Sequence, residues 1–135
     1  MEHVLVSACL LGLATRYDGA TKKNPKLFSL LDRYHVIPFC PEQLGGLPTP
    51  RIPAELVGGD GLAVLAGRAR VVNRAGKDVT EAFLRGAQEA LKLARLFGVR
   101  KAFLKSRSPS CGLSPLLGVA AARLYLEGVN LIEID

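Results

Sequence analysis

Lys101-Ala-Phe-Leu-Lys105 runs straight into Ser106-Arg-Ser-Pro-Ser-Cys-Gly112. The first five residues are a short apolar run with charged ends, which reads as a strand covered on both faces. The residues after Lys105 carry turn chemistry instead. Ser108-Pro109 favours a tight turn, and Gly112 permits close backbone approach. A buried strand that ends in a cysteine-bearing loop is the unit from which the rest of the chain can be read.

Similar apolar runs occur at residues 3–8 (HVLVSA), 34–39 (YHVIPF) and 130–134 (NLIEI). Between them lie helical patterns. Asp78-Val-Thr-Glu81 resembles a capping box, and Val79, Phe83, Ala87, Ala90, Leu91, Ala94 and Phe97 then form one apolar stripe that Gly98 stops. Ser114-Pro115 reads as a cap with proline at the first helical position, followed by Leu116, Leu117, Ala120, Ala121 and Leu124 and closed by Gly128. A short helix is expected over 25–33. Residues 62–73 are expected to form a hairpin or an edge-strand pair around Gly67. Strands alternating with helices predict a single α/β domain over residues 1–135. Its mostly parallel sheet would be flanked by helices in a Rossmann-like three-layer arrangement.

The chain has 135 residues, 49% hydrophobic and 22% charged, the range of a globular protein. No apolar run is long enough to span a membrane, and the first residues lack the pattern of a secretory signal, so a cytoplasmic location is expected. Lys and Arg number 18 against 12 Asp and Glu, a net charge of +6. This favours anionic partners, but the cations are scattered, with a loose cluster at Arg100, Lys101, Lys105 and Arg107. That distribution reads as a solvated face more than as a nucleic-acid groove.

The three cysteines all follow carboxyl ends of expected strands: Cys9 after the first, Cys40 after the second, Cys111 beyond Lys105. In open parallel sheets that edge collects the functional loops. Cys40 precedes Pro41, and Gly45-Gly46 lie shortly beyond, so it can cap a short turn whose N–H groups favour a thiolate. Lys105 and Arg107 add positive potential near Cys111. Soft thiolates suit zinc, copper(I) or iron–sulfur clusters. The only histidines, His3 and His35, sit at the opposite ends of their strands, so a fourth zinc ligand is missing. Three cysteines without histidine fit a four-iron cluster with one iron left open. Lys105, Ser106 and Ser110 are candidate substrate contacts, with mere decoration of the loop an equal alternative. Arg16, Asp18 and Arg51 are expected to pin loops through salt bridges. Pro48, Pro50 and Pro53 would stiffen an extended segment.

The motifs Val6-Ser-Ala-Cys-Leu-Leu-Gly12 with Arg16-Tyr-Asp-Gly19, Cys40-Pro-Glu-Gln-Leu-Gly-Gly-Leu-Pro48 with Pro50-Arg-Ile-Pro-Ala-Glu55, Gly76-Lys-Asp-Val-Thr80 and Leu104-Lys-Ser-Arg-Ser-Pro-Ser-Cys-Gly112 together resemble the thiouracil desulfidase family. The resemblance runs over nearly the whole chain. It implies an enzyme holding a [4Fe-4S] cluster on Cys9, Cys40 and Cys111, with its open corner exposed to oxygen. It also implies that the thiocarbonyl sulfur of a thiolated base or nucleoside is replaced by oxygen with release of sulfide. The family's catalytic glutamate matches Glu42 and its catalytic serine Ser108. After Cys111 the chain is expected to pass quickly into the last helix, where many relatives carry a longer polar loop. Read as isolated residues, Glu42 could instead stabilise a helical turn and Ser108 could cap one. Three other functions compete. They are a nucleic-acid- or anion-binding module, a cysteine-nucleophile hydrolase without a cluster, and a structural or redox-sensing cluster protein.

Overall fold

The structure is a computed structural model that describes residues 1–135. Four strands form one parallel sheet: β1 (Glu2–Ser7), β2 (Tyr34–Phe39), β5 (Lys101–Lys105) and β6 (Asn130–Ile134), in the order β2-β1-β5-β6. Successive side chains of a strand face opposite ways. Val4, Val6 and Phe103 therefore pack with Leu27 and Leu31 of α1 (Pro25–Leu31) on one face. Leu5, Ala102 and Leu104 pack on the other with Phe83, Ala87 and Ala90 of α4 (Thr80–Phe97) and Ala120 and Leu124 of α5 (Val119–Leu126). Helices on both faces explain why the strands read as unbroken apolar runs.

Asn24 caps α1, its side-chain oxygen accepting from the Lys26 and Leu27 N–H groups. On α4 the buried stripe is the expected one as far as Ala94. Phe97, at the end of the helix, is instead 43% exposed and stacks on His3. The helix begins at Thr80, whose N–H donates to Asp78 Oδ1.

Residues 62–73 do not form a hairpin. Asp60 accepts from the Ala63 N–H and starts the short helix α3 (Gly61–Leu65), and Gly67 takes a positive φ of 77° just beyond it. The next strand, β4 (Arg70–Asn73), pairs antiparallel with β3 (Ala54–Val57), giving a two-stranded ribbon separate from the main sheet.

The last helix also starts later than Ser114-Pro115 predicts. The Ser114 hydroxyl bonds to Glu133 on β6 instead of capping a helix. The chain then runs on as loop to Gly118, and α5 begins at Val119. The passage from Cys111 to the helix is therefore longer than expected.

Candidate functional site

A cavity of about 350 Å³ opens at the carboxyl ends of β1, β2 and β5, lined among others by Ser7, Phe39 and Lys105, the last residues of those strands. The chain order reverses between β1 and β5, so this is the crevice where open parallel sheets bind ligands.

Two of the three cysteines line it. Cys40 is the N-cap of α2 (Pro41–Leu44), with Pro41 in the first turn as the sequence indicates. Cys111 lies in the loop after β5 and is 4% exposed. Cys9 sits one step further back, in a single 3-10 turn (Ala8–Leu11), 8% exposed beside Val6, Leu10 and Leu27. Cys40, Lys105 and Arg16, which do line the cavity, are near enough to act on its charge.

Burial pushes the Cys9 thiol up from its ordinary value, Cys40 adding to the rise while Lys105 and Arg16 oppose it. Cys111 is pushed up to about 12, chiefly by burial and then by the Cys40 and Glu42 charges, against hydrogen bonds from Ser7 and Ser110. Both are protonated unless a cation takes the proton's place, which is how a metal binds a thiol. No three His, Cys, Asp or Glu side chains converge on a point that would hold one metal ion. A four-iron cube bonds each thiolate to a different iron, so its ligands stand around a volume. The donor set fits such a group. It consists of thiols alone, and the nearby carboxylate, Glu42, is already paired. His3 and His35 meet at a tilt, ring centroids 5.0 Å apart, at the amino ends of β1 and β2. A cysteine nucleophile at the cavity would therefore have no histidine base.

The loop carrying Cys111 is held tightly. Arg107 takes a positive φ of 59°, which bends the chain sharply out of β5. The Ser108 hydroxyl then accepts from the N–H groups of Ser110 (3.2 Å) and Cys111 (3.0 Å). At Gly112 a Cβ would press on the Ser108 backbone, the close approach anticipated there. The first N–H groups of α5 have no partners within the helix. Two donate to this loop instead, Val119 to the Pro109 carbonyl (2.9 Å) and Ala121 to the Ser110 carbonyl (3.0 Å).

Glu42 joins the two cysteine segments. Its Oε2 accepts from Ser110 Oγ at 2.9 Å, and Ser110 Oγ lies 3.0 Å from Ser108 Oγ. Its Oε1 accepts from Arg51 Nε at 2.9 Å. Glu42, Ser110 and Ser108 thus form one hydrogen-bonded row that ties the helix of Cys40 to the loop of Cys111. Lys105 Nζ donates to the carbonyl and hydroxyl oxygens of Ser106, and the Ser106 hydroxyl donates to Asp135 at 2.7 Å. Burial pushes the Lys105 ammonium down, and Lys22 and Arg16 add to this against the pull of Asp135 and Cys9. Arg16, Lys22, Arg74 and Arg107 also line the cavity, an excess of positive charge that suits anionic contents.

Arg16 meets Asp18 at 3.9 Å, as the sequence suggests, but the partner of Arg51 is Glu42. Two residues escaped the sequence reading. The Ser7 hydroxyl accepts from the Lys105 N–H and reaches Cys111; a polar residue closing an otherwise apolar strand was the available signal. The Thr15 carbonyl, which accepts from Cys40 and Arg51, left no signal because it is backbone.

The signature of the 2-thiouracil desulfurase family matches residues 4–130. The Bacillus subtilis (strain 168) protein YbbK is 44% identical over 109 residues, which is 81% of this chain and 72% of YbbK. The solved structure of the [4Fe-4S]-dependent thiouracil desulfidase TudS superposes with a TM-score of 0.83 at 39% identity, covering all of this chain and 92% of TudS. With its parallel sheet and its family motifs spread over nearly its whole length, the chain belongs to the 2-thiouracil desulfurase family.

Proposed function

We propose that the protein is a [4Fe-4S]-dependent desulfidase that exchanges the thiocarbonyl sulfur of a thiouracil-like pyrimidine for oxygen. The similarity to TudS supports this reading. The observation that carries it is the row Glu42–Ser110–Ser108, which shares one cavity with Cys40 and Cys111. Cys9, Cys40 and Cys111 would hold the cluster. When bound on three thiolates, it supplies a Lewis-acid iron for the thiocarbonyl sulfur.

The protein's own side chains handle the protons. Glu42, as general base, takes a proton from water as its oxygen adds to the thiocarbonyl carbon. The carboxyl group then gives that proton to the departing sulfur, while Ser110, donating to Glu42 Oε2, and Ser108, beside Ser110, hold the carboxyl in place. One C–O bond forms, one C–S bond breaks, and the protons of water leave with sulfide, with no change of oxidation state. Ser108 also holds the Cys111 loop through the two N–H groups it accepts from. Lys105 and Ser110 contact the substrate, and Ser106 orients the Lys105 ammonium. No helix is long and apolar enough to cross a membrane. A cytoplasmic location, where thiols stay reduced, suits the site.

The test is anaerobic reconstitution followed by sulfide measurement with 2-thiouracil. The wild type should carry about four irons per chain and release sulfide. Glu42→Ala should keep its iron and lose turnover by about 10²–10⁴-fold. A fully loaded wild type that releases no sulfide overturns the proposal.

A further inference from the structure

Arg51 is buried, its side chain 6% exposed, in a loop that the main sheet does not support. A guanidinium has five N–H donors, and here each has an acceptor. Nε donates to Glu42 Oε1 (2.9 Å). Nη1 donates to the Pro48 carbonyl (3.1 Å) and Thr49 Oγ1 (2.9 Å). Nη2 donates to the Thr15 carbonyl (2.9 Å) and the Cys40 sulfur (3.7 Å). No donor is left for a substrate, so Arg51 is not a binding residue although it lines the cavity.

Its partners fall into two sets. Thr15, Pro48 and Thr49 belong to the surrounding loops and fix the guanidinium in place, helped by the Arg51 N–H, which donates to the Tyr17 carbonyl at 2.7 Å. Cys40 and Glu42 belong to the site. We infer that Arg51 is a positioning residue for both halves of that site, orienting the Glu42 carboxylate toward Ser110 while donating to the Cys40 sulfur. This inference rests on the desulfidase reading above. The planar fork is what allows one side chain to serve both. A lysine, with its single compact ammonium, cannot reproduce that geometry. Hydrogen bonds to ligand sulfurs help set a cluster's reduction potential. A cationic donor on Cys40 favours the more negative, reduced state, so its removal shifts the potential downward.

The experiment compares anaerobically reconstituted wild type, Arg51→Gln and Arg51→Lys. Iron content, midpoint potential by reductive titration, and kcat and KM for 2-thiouracil are measured on each. Both variants should lose kcat by about tenfold or more with KM within about twofold, because only an interaction on the reacting side is removed. The midpoint should fall in Arg51→Gln and fall less in Arg51→Lys. A loaded Arg51→Gln with wild-type kcat and wild-type potential overturns the inference. If Arg51→Gln fails to load iron, a loaded Arg51→Lys with wild-type kcat and wild-type potential overturns it. A loaded wild type without sulfide release defeats the desulfidase reading instead, and an unshifted midpoint in the variants then also removes the contact with Cys40.

Discussion

Gly86 of α4 lies so close to the Pro41 carbonyl that no Cβ fits between them. Gly45, at the other end of α2, meets the Ala82 carbonyl of α4 in the same way. The short helix that presents Cys40 and Glu42 is thus seated by backbone-to-backbone contact on the longest helix of the molecule. Gly86→Ala should gain roughly 1 kcal/mol of helix propensity and lose more through overpacking, about 1–3 kcal/mol. A thermal melt should show a net fall in Tm, and iron loading should fall with it as α2 is displaced. Wild-type values for both would show that the contact is dispensable.

The two serines of the hydrogen-bonded row should separate in their effects. Ser108→Ala removes the acceptor for two loop N–H groups, so it should cost about 1–2 kcal/mol of stability as well as turnover. Ser110→Ala removes the donor to Glu42 but no backbone partner, so it should lower kcat with a smaller change in Tm. Denaturant unfolding and sulfide release, measured on both variants, check the contrast. Equal stability losses would contradict it.

Serine in place of any one of Cys9, Cys40 and Cys111 should abolish full iron loading, judged by iron analysis and visible absorption after anaerobic reconstitution. Cys9→Ser is the most discriminating of the three. Its thiol packs among Val6, Leu10 and Leu27, so inert packing predicts a small stability loss and a normal iron content. Normal iron in that variant would remove Cys9 from the ligand set.

Far from the cavity, Arg95 holds Glu127 through two hydrogen bonds, 2.6 and 3.0 Å, and pushes its carboxyl below the ordinary glutamate range. A carboxylate depressed in the folded state adds stability above its unfolded pKa, which is lost as pH falls through the folded one. Both groups are at the surface, so the effect should be small and should fade with salt. Tm measured against pH should therefore be lower for Arg95→Ala than for wild type near neutrality. The two curves should converge once the pH is below the folded value. Parallel curves would show that the pair contributes nothing.

Much of this architecture was legible because it is local. Four apolar runs, the stripe on α4 and the Cys40-Pro41 cap each depend on a few neighbouring residues. The cysteines could be placed at one edge because a parallel sheet puts all its strand ends there. The features that escaped depend on distant partners. Whether residues 62–73 would turn back on themselves hinged on Asp60 capping α3 and on β4 finding β3, neither of which periodicity reveals. The start of α5 was misread because Ser114 reaches across to Glu133. Arg51 was rightly expected to pin loops, but its meeting with Glu42 is fixed only when two loops and a helical turn come together.

The ribbon of β3 and β4 has one further consequence. It shares no ladder with the main sheet, yet Pro53 and Ala54 at its start and Arg74 just past its end help to wall the cavity. The sulfur-bearing loops grow from the main sheet and this wall from the ribbon, and the two share one hydrophobic core through Val71. The segment that leads into this wall also carries Arg51, so a change in the wall's length would reach Cys40 and Glu42, whereas a change of charge at Arg74 would alter only the lining.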